Sequence, residues 1–294
     1  MSRIALLIAG NLASDAPDRR ADAHLFDIER RALEAGLAGQ GMELSTHRWM
    51  EDGVDWAGFD AALVLAVWDY QDRPQDFLGR MDLIQRAGCA VFNSPELVRW
   101  NIRKTYLRDF EAKGVAIVPT IWSETPDAAA VRAAFDTFGT DSVVLKRQVG
   151  AGARGQQKFA RASAPESGVL LDRAGMIQPF IASVASEGEY SFLFVDGEFS
   201  HALVKRAAKG DYRIQESYGG KSTKVEPPVA DITQARAVLE ALEAAPLYAR
   251  VDMVRGADGR LMLMELEVIE PYLFPVEGPR IGEMIGAALK KKLG

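Results

Sequence analysis

The segment from Ala61 to Val67 restricts the fold more than any other part of this chain. It is a continuous run of Ala, Leu and Val bounded by polar residues, which is typical of a β-strand buried on both faces. Arg3 to Ala9 has the same character. The other elements predicted in this region are strands at 43–49 and 90–92 and helices at 22–38 and 74–87. Strands that alternate with helices predict a parallel α/β lobe, which we place at residues 1–95.

The composition argues against several classes of function. The 294 residues carry a net charge of −6, which disfavours attraction of the whole protein to nucleic acid or to an anionic membrane. A single cysteine, Cys89, rules out an internal disulfide framework, and three scattered histidines disfavour a zinc centre. The longest apolar run, at 61–68, is too short for a membrane helix, and the run at 4–9 is too short for a signal peptide. We therefore expect a cytoplasmic protein.

The chain after residue 95 is richer in strands that follow one another directly. Strands are predicted at 115–122, 142–147 and 176–181, a helix at 127–138, and hairpins at 189–206 and 250–268. The first hairpin turns at Asp196-Gly197, a strong turn signal. Asp231 and Gln234 form a capping-box pattern at the start of a helix at 231–245, and a last helix is predicted at 279–293. In the helix at 22–38, the spacing predicts an apolar face of Leu25, Ile28, Ala32 and Ala35.

The first motif with chemical meaning lies at 143–155. A predicted strand carries Lys146, and Gly150, Gly152 and Gly155 follow it. Glycines let backbone N–H groups approach an anion closely. Because no amphipathic helix follows, a dinucleotide-binding turn is disfavoured, and Gln156-Gln157 replace the Lys-Ser/Thr of a Walker loop. A flexible loop over phosphates and an ordinary glycine-rich turn remain open.

A second motif is the pair Glu265 and Glu267. The two residues are at i and i+2 of a strand, so their carboxylates face the same way, whereas Met264, Leu266 and Val268 are expected to face the opposite way. Asp252 on the preceding strand is placed to reach the same point. Carboxylates grouped in this way suit Mg²⁺ held together with phosphate oxygens. The alternative is the solvated edge of a sheet.

A third motif is a cationic stretch at 200–224. It carries Lys205, Arg206, Lys209, Arg213, Lys221 and Lys224. Arginine side chains clamp carboxylate or phosphate oxygens well, but a solvated loop is the alternative. We interpret His201, at the start of this stretch, as structural. Lys104 is predicted to lie on a short helix after the first lobe.

Taken in order, these motifs resemble the ATP-grasp superfamily. The strings VWDY (67–70), RWNIRKTYL (99–107) and MELEVIEPYLF (264–274) are similar to the family of O-ureido-serine cyclo-ligase, which closes the cycloserine ring. The stretch KRAAKGDYR at 205–213 is more distantly similar to bacterial glutathione synthetase. Those synthetases have Glu-x-Asn where this chain has Glu265-Leu-Glu267.

The resemblance implies an α/β and α+β architecture, the ATP-grasp fold. It would comprise the N-terminal parallel α/β lobe at 1–95, a small α+β lid at 96–182, and a C-terminal α+β domain at 183–294 that carries the metal site. The cofactors implied are ATP and one or two Mg²⁺ ions, with Mn²⁺ as an alternative. The sequence leaves the oligomeric state open, a homodimer included.

The resemblance also implies roles for individual residues. Phosphate contacts would come from Lys104, Lys146, Gly150, Gly152, Ala153, Arg154 and Gly155. The hinge that holds adenine would be Gln178, Pro179, Phe180 and Ile181, and Glu189 or Glu187 would bind the ribose. The metal ligands would be Asp252, Glu265 and Glu267. Arg206 and Arg213 would steady the acyl phosphate.

The activity implied is that of a Mg-ATP-dependent carboxylate–amine or cyclising ligase. A carboxylate of a small amino-acid-like substrate would become an acyl phosphate with release of ADP, and an amine-type nucleophile would then displace phosphate. Trp68, Asp69 and Tyr70 are candidates for the acceptor site, because ligands bind at the carboxyl ends of strands in open α/β sheets. Domain packing is the alternative for Trp68 and Tyr70. Three alternative functions remain: a small-metabolite kinase, a glutathione synthetase-like peptide ligase and a non-catalytic nucleotide-binding protein.

Overall fold

Three β-sheets organise the part of the chain that the computed structural model describes, residues 1–215 and 218–294. The first sheet is parallel throughout, with strand order β2-β1-β3-β4. All six residues of its third strand are buried, as the unbroken apolar run predicts. The elements of this lobe are β1 (Ser2–Ile8), α1 (Ala23–Ala38), β2 (Met42–Arg48), β3 (Ala61–Ala66), α2 (Pro74–Arg86) and β4 (Ala90–Phe92). The predicted parallel α/β lobe is confirmed.

The second sheet is antiparallel, with order β5-β8-β6-β7, and one helix packs against it. A predicted strand at 115–122 is wrong except for its end. Residues 116–118 lie instead beside the third sheet, where Val118 donates a hydrogen bond to Leu263. The elements are α3 (Pro95–Asn101), α4 (Tyr106–Ala112), β5 (Ile121–Ser123), α5 (Ala128–Phe138), β6 (Ser142–Arg147), β7 (Gln157–Ala160) and β8 (Gly175–Pro179).

The third sheet is antiparallel with order β11-β10-β9-β12-β13, and its two hairpins are those the sequence predicts. Asp196 and Gly197 have positive φ angles of 48° and 81°, which a tight hairpin turn requires. The elements are α6 (Ser183–Ser186), β9 (Glu189–Val195), β10 (Glu198–Arg206), β11 (Lys221–Val225), α7 (Val229–Glu240), β12 (Tyr248–Arg255), β13 (Leu261–Glu267) and α8 (Ile281–Leu293). No helix in the described ranges is both long and apolar enough to span a membrane.

The buried face of α1 differs from the predicted one. Of the predicted face, Ala35 is exposed and the other three residues are only half-buried. The residues buried instead are Ala23, Phe26, Glu29, Leu33, Gly36 and Leu37. The reason is α8, which crosses α1 so closely that a Cβ on Gly36 would lie 2.0 Å from the carbonyl oxygen of Gly282. The C-terminal helix thus packs on the N-terminal lobe.

The capping box predicted for α7 is also wrong. The helix begins two residues earlier, at Val229, so that Asp231 lies inside it. Asp231 is buried and forms a 2.8 Å ion pair with Arg255 of β12. The side chain of Gln234 accepts a hydrogen bond from the backbone N–H of Leu261. Both side chains therefore fasten α7 to the third sheet.

Candidate active site

A cavity of about 490 Å³ is lined by residues of the second and third sheets, by loops, and by residues of the N-terminal lobe that lie beyond the ends of its strands. The second sheet contributes its hinge and the glycine loop, and the third sheet contributes carboxylates and cations. Most of the predicted site residues line this cavity. They are Lys104, Lys146, Gly150, Gly152, Ala153, Arg154, Gln178, Pro179, Phe180, Ile181, Glu189, Arg213, Asp252, Glu265 and Glu267.

The carboxylates meet because β12 and β13 form one hairpin. Asp252 lies opposite Glu265 in the antiparallel register, and Glu267 follows two residues later. The register slips between Asp252 and Met253, so Met264 lines the cavity beside Glu265. The expectation that Met264 faces away is therefore wrong, because a β-bulge interrupts the alternation of side chains.

Lys104 lies in the turn between α3 and α4 and not on a helix. Its ammonium is 2.7 Å from Glu265 and donates a 2.6 Å hydrogen bond to the carbonyl of Gly150. Burial opposes its charge, but Glu265 and neighbouring carboxylates outweigh burial and raise the pKa of Lys104. Lys104 thus links the carboxylate strand to the start of the glycine loop.

Lys146 is a different kind of lysine. Its ammonium lies 3.1 Å from the sulfur of Met264 and forms no ion pair with any described carboxylate. Burial lowers its pKa. An unpaired, desolvated cation in a cavity is placed to receive an anion, which would restore its charge.

A buried ion network lies behind the carboxylates. Lys205 is 2.7 Å from Glu189 and 3.1 Å from Asp252, and Arg250 is 3.0 Å from Asp252 and also pairs with Glu267. Burial opposes ionisation of Asp252, but the two cations outweigh burial and lower its pKa to about 2. This network fixes the positions of the acidic side chains.

Sequence reasoning gave no role to Arg250 and Glu270 and left Lys205 among the loop cations. Arg250 precedes Asp252 by two residues on β12, so the alternation applied to the two glutamates would have placed it on the same face. Glu270 lies beyond β13, where no strand periodicity reaches it; its carboxyl receives a hydrogen bond from Tyr70, and burial raises its pKa to about 7.

Comparison with known proteins connects this chain to characterised enzymes. The family described as the N-terminal domain of D-cycloserine synthetase DcsG matches residues 4–93. The cycloserine biosynthesis protein DcsG of Streptomyces lavendulae is 30% identical over 275 residues, covering 84% of this chain and 88% of the relative. The chain belongs to the DcsG family of ATP-grasp ligases. It is therefore an ATP-dependent ligase that forms a C–N bond.

Further comparisons agree with membership of the DcsG family. The crystal structure of D-cycloserine synthetase DcsG matches all of both chains with a TM-score of 0.86 at 25% identity. The glutathione synthetase of Prochlorococcus marinus (strain MIT 9313) is 28% identical over 219 residues, 70% of this chain and 66% of that protein. A D-alanine–D-alanine ligase of Bacillus anthracis, solved with ATP, shares the fold with a TM-score of 0.67 at 15% identity, covering 100% of each chain. The predicted ATP-grasp fold is confirmed.

Three of the predicted residues do not line the cavity of this DcsG-family protein. Gly155 packs against the guanidinium of Arg147, where a Cβ would lie 2.8 Å from Nε. Glu187 pairs with Arg255 at 3.0 Å, outside the cavity. Arg206 is exposed at the end of β10. Lys205 faces inward in place of Arg206, because side chains alternate along β10. Glu189 lines the cavity at the start of β9, whereas Glu187 lies before that strand, at the end of α6.

The hinge at 178–181 combines apolar walls with one unsatisfied polar atom. The amide nitrogen of Gln178 donates to Thr120 at 2.9 Å, but its side-chain oxygen is buried without a partner. Phe180 and Ile181 line the cavity beside it. A flat heterocycle with an amino group would fit these features.

Arg213 and the residues after β3 complete the lining. Arg213 is held by Asp211 at 2.8 Å and lies 3.7 Å from the ring centroid of Tyr218. Trp68 and Asp69 line the cavity, whereas Tyr70 is buried in the core, as the packing alternative for it expects.

Proposed function

We propose that this protein uses Mg-ATP to activate the carboxylate of a small amino-acid-like substrate as an acyl phosphate, which a nitrogen nucleophile then attacks. One observation carries the proposal: Lys104 and Lys146 line the same cavity as Glu265 and Glu267. Cations for phosphates and carboxylates for a metal are the two components that phosphoryl transfer needs. The relative DcsG, named for cycloserine biosynthesis, supports a ring-closing reaction within one substrate molecule.

The nucleotide would lie between the hinge and the lysines. The buried oxygen of Gln178 would accept the amino group of adenine, with Phe180 and Ile181 against the ring. Glu189 would bind the ribose. The phosphates would meet Lys104 and Lys146, with the backbone of the loop at 150–154 above them.

The donor chemistry fits Mg²⁺. Asp252, Glu265 and Glu267 offer hard carboxylate oxygens, the ligand type that Mg²⁺ prefers. Within the described residues no group of three acidic, histidine or cysteine side chains could hold a metal alone, so phosphate oxygens would share the coordination. Burial and neighbouring carboxylates raise the pKa of Glu267 despite Arg250, which indicates negative charge that a divalent cation would balance. Mg²⁺ would neutralise charge on the phosphates.

The chemistry would proceed in two balanced steps. A substrate carboxylate oxygen attacks the γ-phosphorus, the bond to the ADP oxygen breaks, and ADP leaves. The nitrogen nucleophile then attacks the carbonyl carbon, and the C–O bond to phosphate breaks with transfer of the nitrogen's proton to the departing phosphate. Lys146 and Arg213 would stabilise the negative charge that develops on oxygen in these steps.

A screen for ADP release tests this function. Amino acids, O-ureidoserine and short peptides are supplied with ATP and Mg²⁺, and the products are identified. We expect one of these compounds to stimulate ADP and phosphate formation together with an amide or a ring. A stable phosphorylated compound would indicate a kinase instead, and the absence of any stimulation would overturn the proposal.

Variants test the metal ligands separately. Glu265→Gln and Glu267→Gln should each lower substrate-dependent ADP formation by about 100-fold or more, because charge neutralisation at phosphate is worth several kcal/mol. Glu198→Gln, at an exposed position on β10, is the matched control and should leave the rate unchanged. Unchanged ADP formation in the first two variants would contradict the metal assignment.

A further inference from the structure

Asp69 is a carboxylate that lines the cavity without a cationic partner. It follows β3 at the carboxyl end of the parallel sheet. Its Oδ2 accepts a 3.0 Å hydrogen bond from the backbone of Gly10, and its Oδ1 accepts a 2.6 Å hydrogen bond from the indole of Trp49. Both donors are neutral, so the carboxylate is held in place with its charge uncompensated by any described residue.

The other acidic side chains of the cavity are accounted for. Asp22 is bound by Arg20 at 2.8 Å, Asp72 by Arg154 at 2.8 Å, and Glu265 by Lys104 at 2.7 Å. Lys205 pairs with Glu189 and Asp252, and Arg250 pairs with Asp252 and Glu267. Glu270 accepts a hydrogen bond from the hydroxyl of Tyr70 and is stabilised by the positive charge of Lys104. Asp69 is thus distinguished within the described lining by its lack of a positive neighbour.

A second acceptor lies beside it. Asn11 follows Gly10, the residue that tethers Asp69, and its side-chain oxygen is buried without a hydrogen-bond partner. A buried acceptor without a partner is unfavourable, and an incoming hydrogen-bond donor would remove that cost. A carboxylate and an amide oxygen on adjacent strand ends suit a primary ammonium, which has three N–H donors to share.

We propose that Asp69, supported by Asn11, binds the ammonium group of the substrate and thereby selects amino acids over other carboxylic acids. This inference rests on the proposed function and deepens it. Lys146, Lys104 and Arg213 line the same cavity and favour anions. A zwitterion with its ammonium at Asp69 therefore directs its carboxylate toward the phosphate site.

The surroundings agree with a small substrate. Trp68 lines the cavity next to Asp69, and the guanidinium of Arg20 lies 5.1 Å from its ring centroid. Because Arg20 is already paired with Asp22, it does not compete with a substrate ammonium for the carboxylate of Asp69. Tyr272 and Phe274, whose ring centroids are 4.7 Å apart, form a second aromatic wall.

The test combines a variant with a change in the substrate. The most active compound of the ADP-release screen is compared with its counterpart that has hydrogen in place of the amino group. Because a hydrogen-bonded charge pair inside a binding site contributes strongly to affinity, the wild type should prefer the amino compound by at least about 30-fold in kcat/KM. Asp69→Asn should reduce that preference to about threefold or less, with the KM for ATP unchanged.

The control is Asp72→Asn, three residues further along the same turn. It should leave the preference for the amino compound intact. If Asp69 only tethers Gly10 and Trp49, then Asp69→Asn would lower the melting temperature and slow both compounds equally, and an unchanged preference would overturn the inference. An active substrate without an ammonium group would overturn it as well. Failure of the proposed function looks different, because no compound would then stimulate ADP release even in the wild type.

Discussion

Nη1 of Arg154 lies 2.9 and 2.8 Å from the two carboxylate oxygens of Asp72, so the glycine loop is fastened to the N-terminal lobe. The backbone of Ala151 adds a 2.6 Å hydrogen bond to the side chain of Gln71. The turn that receives the loop is the one that carries Trp68 and Asp69. The proposed nucleotide cover and the proposed substrate site are therefore joined.

Loss of the Arg154–Asp72 pair should weaken ATP binding modestly. Both side chains are more than half exposed, and exposed ion pairs contribute about 0.2–1 kcal/mol. We expect Asp72→Asn or Arg154→Gln to raise the KM for ATP by no more than about fivefold, and the double variant to be no worse than either single one. Steady-state kinetics measures this. Arg161→Gln, which breaks an exposed pair with Asp136 of α5, is the control. Fully additive effects would contradict the prediction.

The crossing of α1 and α8 should tolerate no side chain at Gly282. A Cβ there would lie 2.0 Å from the carbonyl oxygen of Ala32, so Gly282→Ala must push the two helices apart. The free energy of unfolding should fall by about 1–3 kcal/mol or more, as in other overpacked cores. Gly79→Ala is the matched control within α2, where nothing lies within 4 Å of the new Cβ. That change should stabilise the protein by about 0.5–1 kcal/mol. Denaturant unfolding of both variants decides; equal effects would refute the packing argument.

Glu29 should make the protein less stable as the pH rises. Burial raises its pKa to about 8, against an ordinary value of 4.5. Between these values the unfolded chain releases a proton that the folded chain keeps, so the free energy of unfolding falls from pH 4.5 to pH 8. Glu29→Gln retains the acceptor for the backbone of Leu273 and should be more stable than the wild type at pH 8, by a few kcal/mol at about 1.4 kcal/mol per pKa unit. The difference should vanish below pH 4.5, and a difference independent of pH would speak against this account.

Lys146 should give ATP binding an alkaline limit. Burial lowers its pKa, so the ammonium loses its charge at a lower pH than an ordinary lysine. The KM for ATP should rise as the pH passes through that lowered pKa. Lys146→Arg keeps its charge throughout this range and should flatten the rise, even if the absolute rate is lower. A pH profile of KM for both proteins checks this, and parallel profiles would exclude Lys146 as the titrating group.

Much of the site follows from local sequence. The carboxylates of Asp252, Glu265 and Glu267 could be placed together, because side chains alternate along a strand and a short turn sets the register of a hairpin. The same reasoning found Lys146 and the loop at 150–154. It failed at Met264, because the one-residue shift in register between β12 and β13 cannot be read from the spacing of residues along the sequence. The roles of these residues toward ATP and metal stay predictions.

The sequence by itself determined most of the strands and helices, since each depends on a period of two or 3.6 residues within one segment. It also determined the order of the charged motifs. Tertiary structure decided which surfaces meet. The buried face of α1 is set by α8, some 250 residues later. Asp231 forms an ion pair with Arg255 and does not cap its own helix. Asp69 accepts hydrogen bonds from Gly10 and Trp49, which belong to two other segments. Such pairings depend on how distant segments pack, and no local periodicity encodes that.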